Sequence, residues 1–269
     1  TTLSSIIVNN LKPVFVDIEF ETLNFNLNQI ESKITDKTKA IFLSPVLGNP
    51  CNIDVLVEIC KKHNLELILD NCDSLGSKWK DKNLTEYALA SSCSFYPAHH
   101  ITTGEGGMIS SNNNKIISTA RSMCFWGRGC YCIGTQNLCS EGMCKKRFSN
   151  WLPETDTVID HKYLFTNIGY NLKPLDLQGS IGLEQLNKFE EIHKNRINSK
   201  NKIGELFEKY IPGVFVPKEL PEASTSWFGT PIICKDKKSK LDLVLYLESN
   251  KIQTRNYFAG NILLHPAYS

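Results

Sequence analysis

The sequence has no run of about 20 apolar residues, so no segment reads as a membrane-spanning helix. It has almost no excess of one charge. The 30 basic and 28 acidic residues leave a formal +2, which argues against nucleic acid as the default partner. Internal repeats and low-complexity tracts are absent, which removes solenoids and linker-like chains. With 41% apolar and 22% charged residues, disorder is excluded as the main state. The opening Thr1-Thr2-Leu3-Ser4-Ser5 lacks the charged start and apolar stretch of a secretory signal. The expected compartment is therefore the cytoplasm, where thiols stay reduced. The chain opens on Thr1 and stops at His265-Pro266-Ala267-Tyr268-Ser269 without a polar tail. The expectation is a fragment lacking residues on both sides, the alternative a trimmed but complete domain.

What is plentiful is cysteine, ten in 269 residues, with five of them between positions 124 and 144. Around them the chain alternates strand and helix signals. Pro13–Ile18, Lys39–Val46, Glu66–Asp70, Ser92–Tyr96 and Gly107–Ser110 read as strands. Asn28–Ile34, Asp54–Cys60 and Asn114–Trp126 read as helices, the second ending in cations that suit a helix C-terminus. This alternation predicts an α/β fold with a mostly parallel sheet. The stretch 124–162 has no period and is rich in Cys, Gly, Trp and charge, as functional loops are. Helical periodicity resumes from Leu175 to Tyr210 with one break. Trp227–Cys234 and Ile252–Arg255 then read as strands, and Lys240–Ser249 as a helix.

Ligands of open α/β sheets sit beyond the carboxyl ends of the strands. Two such ends are unusually polar: Asp70-Asn71-Cys72-Asp73, and Ser94-Phe95-Tyr96-Pro97-Ala98-His99-His100 followed by Gly104-Glu105-Gly106-Gly107. Each piece alone is weak, because an aspartate after a strand caps a turn as readily as it does chemistry. Clustered loop cysteines suit an iron–sulfur cluster or zinc. The single residue inside Cys130-Tyr131-Cys132 is short for a zinc knuckle and favours iron–sulfur. Cys60 and Cys93, inside a helix and a strand, read as buried apolar residues.

Taken in order, Asp70, Ser94-Phe95, Gly104-Glu105-Gly106-Gly107, Gly169-Tyr170-Asn171 and Asp176-Leu177-Gln178 resemble the DegT/DnrJ/EryC1/StrS sugar aminotransferase family. That resemblance covers nearly the whole chain. It implies the fold-type I architecture of pyridoxal-phosphate enzymes, a large domain with a mostly parallel central sheet followed by a small α+β domain. The implied division is residues 1–185, with the cysteine-rich loop at 124–162, and residues 186–269. His99 stands where the family carries its cofactor-binding lysine, and imidazole cannot form that imine. The resemblance then points to the lysine-lacking branch that contains the CDP-4-keto-6-deoxyglucose 3-dehydrases. Its cofactor is pyridoxamine 5′-phosphate, and it serves 3,6-dideoxysugar and O-antigen biosynthesis. The alternative is an enzyme that has decayed by losing its lysine.

By the same resemblance Asp70 pairs with the pyridine nitrogen, His99 moves protons and Tyr96 assists. Ser94 and Asn171 hold the phosphate, Asn171 from a second subunit of a homodimer. Asp73 lies near the cofactor, at a place where the family often has Gln. That branch also holds a [2Fe–2S] cluster. Cys72 and Cys130 enclose positions 73–129, fifty-seven residues, the branch's own gap, and Cys132 and Cys144 complete the implied ligand set. Cys144 is chosen because it precedes Lys145-Lys146-Arg147-Phe148, with Cys139 as the alternative. The implied partners are a nucleotide-linked 4-keto-6-deoxyhexose and an NAD(P)H-dependent iron–sulfur flavoprotein reductase. Two other readings stay open: a cluster-free dehydratase or aminotransferase-like enzyme, and a non-catalytic scaffold closed by structural zinc. No Gly/Ser-rich phosphate turn and no ring-stacking aromatic were found in these residues, so this chain alone is expected to hold its cofactor poorly.

Overall fold

The computed structural model describes residues 1–130, 147–149 and 152–268. The chain runs α1 (Thr2–Val8), β1 (Ala40–Leu43), α2 (Ile53–His63), β2 (Glu66–Asp70), β3 (Lys78–Trp79), β4 (Lys82–Asn83), β5 (Ala90–Ser94), β6 (Gly107–Ser110) and α3 (Asn114–Cys124). It continues through α4 (Asp176–Asn187), α5 (Phe189–Tyr210), β7 (Val214–Phe215), β8 (Ala223–Ser224), β9 (Ile233–Cys234) and α6 (Lys237–Ser249). The central sheet has the order β1-β2-β5-β6. Its first three strands are parallel and β6 is antiparallel. A three-stranded sheet β4-β3-β8 and a ribbon β7-β9 lie outside it. No helix among the described residues is long and apolar enough to cross a membrane.

Helix α2 shows how sequence becomes packing here. Asn52 caps its start by accepting from the Val55 amide, and Asn64, in the left-handed conformation at φ 52°, ends it. Ile53, Leu56, Ile59 and Cys60 share one face and pack with Leu43, Leu67, Leu69 and Trp79 in the main core. Cys60 and Cys93 are buried, as read from their positions. Glu31 meets Lys62 and His63 of the last helical turn at 2.8 and 2.7 Å. Strand β5 is serine-rich yet central. It is tolerated because Ser91 shares a hydroxyl hydrogen bond with Ser110 at 2.6 Å and Ser92 donates to Asp70 at 3.4 Å.

Two expected strands do not form and a third is cut to its last two residues, because the backbone groups are used elsewhere. Pro13–Ile18 has no neighbouring strand among the described residues. Only an Ile18–Phe25 bridge forms, and the Asp17 amide and carbonyl go to Gln29 and Asn26. In Trp227–Cys234 only Ile233–Cys234 is strand. Trp227 is left-handed at φ 38°, the Phe228 amide donates to the Leu47 carbonyl, and Pro231 has no amide to give. Ile252–Arg255 folds back on α6 instead, with both the amide and the hydroxyl of Thr254 on Glu248. The short helix expected over Asn28–Ile34 is two 3₁₀ turns, Leu27–Gln29 and Glu31–Lys33. The break in the long helical stretch falls at Lys188.

Candidate active site

Parallel strands put their carboxyl ends on one edge of a sheet, and this is what gathers the site. Asp70 ends β2 and pairs in register with Ser92, two residues before Ser94 at the end of β5. The Asp70 carboxylate accepts from the Thr2 hydroxyl at 2.6 Å, the Cys72 amide at 3.2 Å and Ser92. Ser94 Oγ accepts from the Tyr96 amide at 3.1 Å. The next turn carries His99, half-buried, with Nε2 3.5 Å from Asp73 and Nδ1 buried without a hydrogen-bond partner. Tyr96, itself exposed, approaches the imidazole edge-on at 5.9 Å between ring centroids, and Phe228 lies at 5.5 Å.

Burial dominates the electrostatics. It lowers the pKa of His99 below the ordinary imidazole value; Arg196 adds to this, while Asp70 and the Ser94 carbonyl oppose it. Burial and then the Asp70 charge raise Asp73 to about 6, against the pull of Arg196. The 3.5 Å contact is therefore a weak one around a largely neutral imidazole, not a firm ion pair. Cys72, half-buried, is pushed up to about 12, first by burial and then by its hydrogen bond to Asp70.

His100 faces the other way. It is 2% exposed, with Nε2 donating to the Ser226 carbonyl at 3.3 Å, and burial lowers its pKa to about 4. Its folded value lies below the unfolded one, so the unfolded chain takes up the proton first as pH falls. Stability on the order of 3 kcal/mol is expected to be present above pH ~6.5 and lost between there and pH ~4. Denaturant melts across that range check this, and His100→Gln is expected to remove this part of the slope.

The Gly104–Gly107 turn is pinned by α4. Gln178 donates to the Glu105 carbonyl at 2.7 Å, and Gln185 accepts from the Thr102 amide at 3.3 Å. Gly48, left-handed at φ 87°, sits under the Asp73 carbonyl, which a Cβ there would meet at 2.5 Å.

The structure brings Asp70, Cys72, Asp73, Ser94, Tyr96 and His99 to one region. Asn171 is not joined to them by a hydrogen bond among the described residues. It bridges to Phe125, and its side chain accepts from Lys173 at 2.6 Å. Cys130 is half-buried within the cysteine-rich loop, while Cys132, Cys139 and Cys144 lie outside the described residues. Among the described residues no three His, Cys, Asp or Glu side chains are gathered as for a metal ion. Sequence reasoning missed Arg196, Phe228 and Thr2. Arg196 and Phe228 line a cavity of about 420 Å³ with Ile192, Asn195, Lys200 and Trp227. A lone arginine on a polar helix face carries no signal that separates it from a solvated one.

A mixed sheet with one antiparallel strand, and polar strand ends gathered around an aspartate, are the frame of the pyridoxal-phosphate aminotransferase fold. The E. coli GDP-4-keto-6-deoxy-D-mannose-3-dehydratase solved with bound hydrated PLP has this fold. It aligns at TM-score 0.80 and 30% identity, over 96% of this chain and 63% of that one. Residues 1–269 match the DegT/DnrJ/EryC1/StrS aminotransferase family, and the chain belongs to it. It is 39% identical to the dTDP-4-dehydro-2,6-dideoxy-D-glucose 3-dehydratase of Saccharopolyspora spinosa. It is 36% identical to the lipopolysaccharide biosynthesis protein RfbH of Salmonella typhimurium. All of this chain is covered in both cases, but it spans only 57% and 61% of those relatives.

Proposed function

We propose that the full-length protein is a pyridoxamine-phosphate- and [2Fe–2S]-dependent dehydrase that removes the C3 hydroxyl of a nucleotide-linked 4-keto-6-deoxyhexose. The observation that carries this is the imidazole of His99. It stands in the turn after β5, where the family resemblance places the lysine, half-buried and with Nδ1 unpartnered. The residues fit the amine form of the cofactor: a carboxylate at a strand end for a ring nitrogen, a hydroxyl for the phosphate, and an imidazole that cannot make an imine. When bound, pyridoxamine phosphate supplies an amine for the sugar ketone and a ring that withdraws electrons.

The protein's residues do the rest. Asp70, anchored by Thr2, Ser92 and the Cys72 amide, presents an anion that keeps a pyridine nitrogen protonated. His99 is neutral near pH 7 because burial lowers its basicity, so it can accept a proton and then return it. Tyr96 flanks the imidazole. Ser94 Oγ accepts from an amide and so keeps its proton for a phosphate oxygen. Asp73 lies 3.5 Å from the imidazole Nε2, a weak contact on the side away from Nδ1.

Cys72, Cys130, Cys132 and Cys144 are the proposed cluster ligands, with Cys139 as the alternative to Cys144. Cys72 follows Asp70 by two residues, so one ligand stands beside the cofactor site. The cluster supplies one-electron transfer, and an NAD(P)H-dependent iron–sulfur flavoprotein reductase is the proposed donor. A homodimer, with Asn171 reaching its partner's cofactor, is supported by the apolar side chains left open between 163 and 186. Ile168 is 94% exposed, and Leu172, Leu175, Leu177 and Leu183 are also open. Residues 1–185 and 186–269 remain our proposed division into a large domain and part of a small one.

Anaerobic full-length protein, given pyridoxamine phosphate, a 4-keto-6-deoxy nucleotide sugar and a reductase, is expected to release a 3-deoxy product and consume NAD(P)H. Transfer of an amino group to the sugar, with glutamate consumed instead, would show an aminotransferase.

A further inference from the structure

Arg196 of α5 reaches the backbone of the His99 turn from outside. Arg196 donates through Nη2 to the His99 carbonyl at 3.4 Å, and through Nη1 to the carbonyls of Phe228 at 3.0 Å and Trp227 at 3.4 Å. No carboxylate lies within ion-pair distance of it among the described residues, although Asp73 is near enough to be felt. A guanidinium devoted to carbonyl oxygens of two separate segments acts as a fixed brace, because its donors lie in one rigid plane. One turn further along α5, Lys200 is 8% exposed and sets its ammonium 4.2 Å over the Trp227 ring. The helix thus grips 227–228 by both backbone and ring. The Phe228 ring, so held, packs at 5.5 Å from the His99 imidazole and 6.4 Å from that of His100.

We propose that Arg196 is the positioning residue of the His99 imidazole: by tying the His99 and Phe228 carbonyls to one guanidinium, it locks the Phe228 ring against the imidazole and fixes where Nδ1 points. This rests on the reading of His99 as the proton-moving group. On this proposal Arg196 acts through the imidazole and not on the substrate, so its loss is expected in kcat and not in KM.

The test uses the full-length holoenzyme. In Arg196→Gln, kcat is expected to fall about 10²-fold, the cost of a misplaced reacting group, with KM within about threefold of the parent. Arg196→Lys is expected to recover about tenfold of that loss, since an ammonium serves one carbonyl but not the whole fork. A second measurement does not use turnover. The ring carbon–proton resonances of ¹³C-labelled histidine include one that disappears in His99→Asn and so belongs to His99. That resonance is expected to move in Arg196→Gln and in Phe228→Leu, and to stay put in Lys202→Gln on the exposed face of α5. If Arg196→Gln does not fold, the resonance in Arg196→Lys carries the same test. An unmoved His99 resonance overturns the proposal, as does a rise in KM at unchanged kcat, which would make Arg196 a substrate-binding group. Turnover surviving in His99→Asn would instead remove the proposed function and leave the resonance result standing.

Discussion

Replacing His99 by Asn in the full-length enzyme is expected to lower kcat by about 10²–10⁴-fold, the range that a positioned acid–base group contributes. Asn fills a similar volume and can still face Asp73, so the turn after β5 should survive; the Tyr96–His99 backbone hydrogen bond of 2.9 Å does not involve the side chain. Pyridoxamine phosphate binding should stay within a few-fold, because Asp70 and Ser94 are untouched. The same change separates the two readings of the lysine's absence. A decayed enzyme has no turnover to lose, whereas a dehydrase loses it here. Kinetics with the nucleotide sugar, run beside cofactor titration of both proteins, read the two effects independently. Turnover within threefold of the parent would remove His99 from the mechanism.

The second large effect is expected from Cys72→Ser. If Cys72 is a cluster ligand, serine leaves the site one thiolate short, and the visible iron–sulfur absorption should largely vanish along with product formation. Cys72 has an ordinary structural role as a half-buried thiol beside Asp70, so loss of fold is the competing explanation for such a result. Two controls separate them. Cys60→Ser changes a thiol buried on α2, in the core and away from the strand ends, and should keep the colour. Cys130→Ser, in the loop, should lose it as Cys72→Ser does. Comparing Cys139→Ser with Cys144→Ser then assigns the fourth ligand: one keeps the absorption and the other does not. Absorption unchanged in both Cys72→Ser and Cys130→Ser would eliminate the proposed ligand set.

Much of this arrangement was readable in the residues, for identifiable reasons. Strands Glu66–Asp70 and Gly107–Ser110 were read to the residue, because apolar runs bounded by polar and glycine positions mark their ends. The polar strand ends Asp70 and Ser94–His99 were legible because parallel pairing forces them to one edge. What escaped were segments whose fate is set by distant partners. Pro13–Ile18 has strand composition but no strand beside it among the described residues. Trp227–Cys234 has strand composition too, yet its first carbonyls are taken by Arg196. Nothing local to Arg196 announces that role, because the acceptors it meets are backbone atoms, which every residue has. The placement of Asn171 against Phe125 and Lys173 likewise follows from tight packing of Gly127 against Gly169, where a Cβ would meet backbone at 2.2 Å. The motif around it signals a turn, not where that turn docks.

The most direct test of the whole account is the composition and colour of full-length protein purified without oxygen and then titrated with pyridoxamine phosphate. The account predicts a brown protein, iron and acid-labile sulfide in equal amounts, and saturable binding of the amine cofactor with no covalent imine to any lysine. A colourless protein holding zinc, or one that traps pyridoxal phosphate as an imine reducible by borohydride, would contradict it.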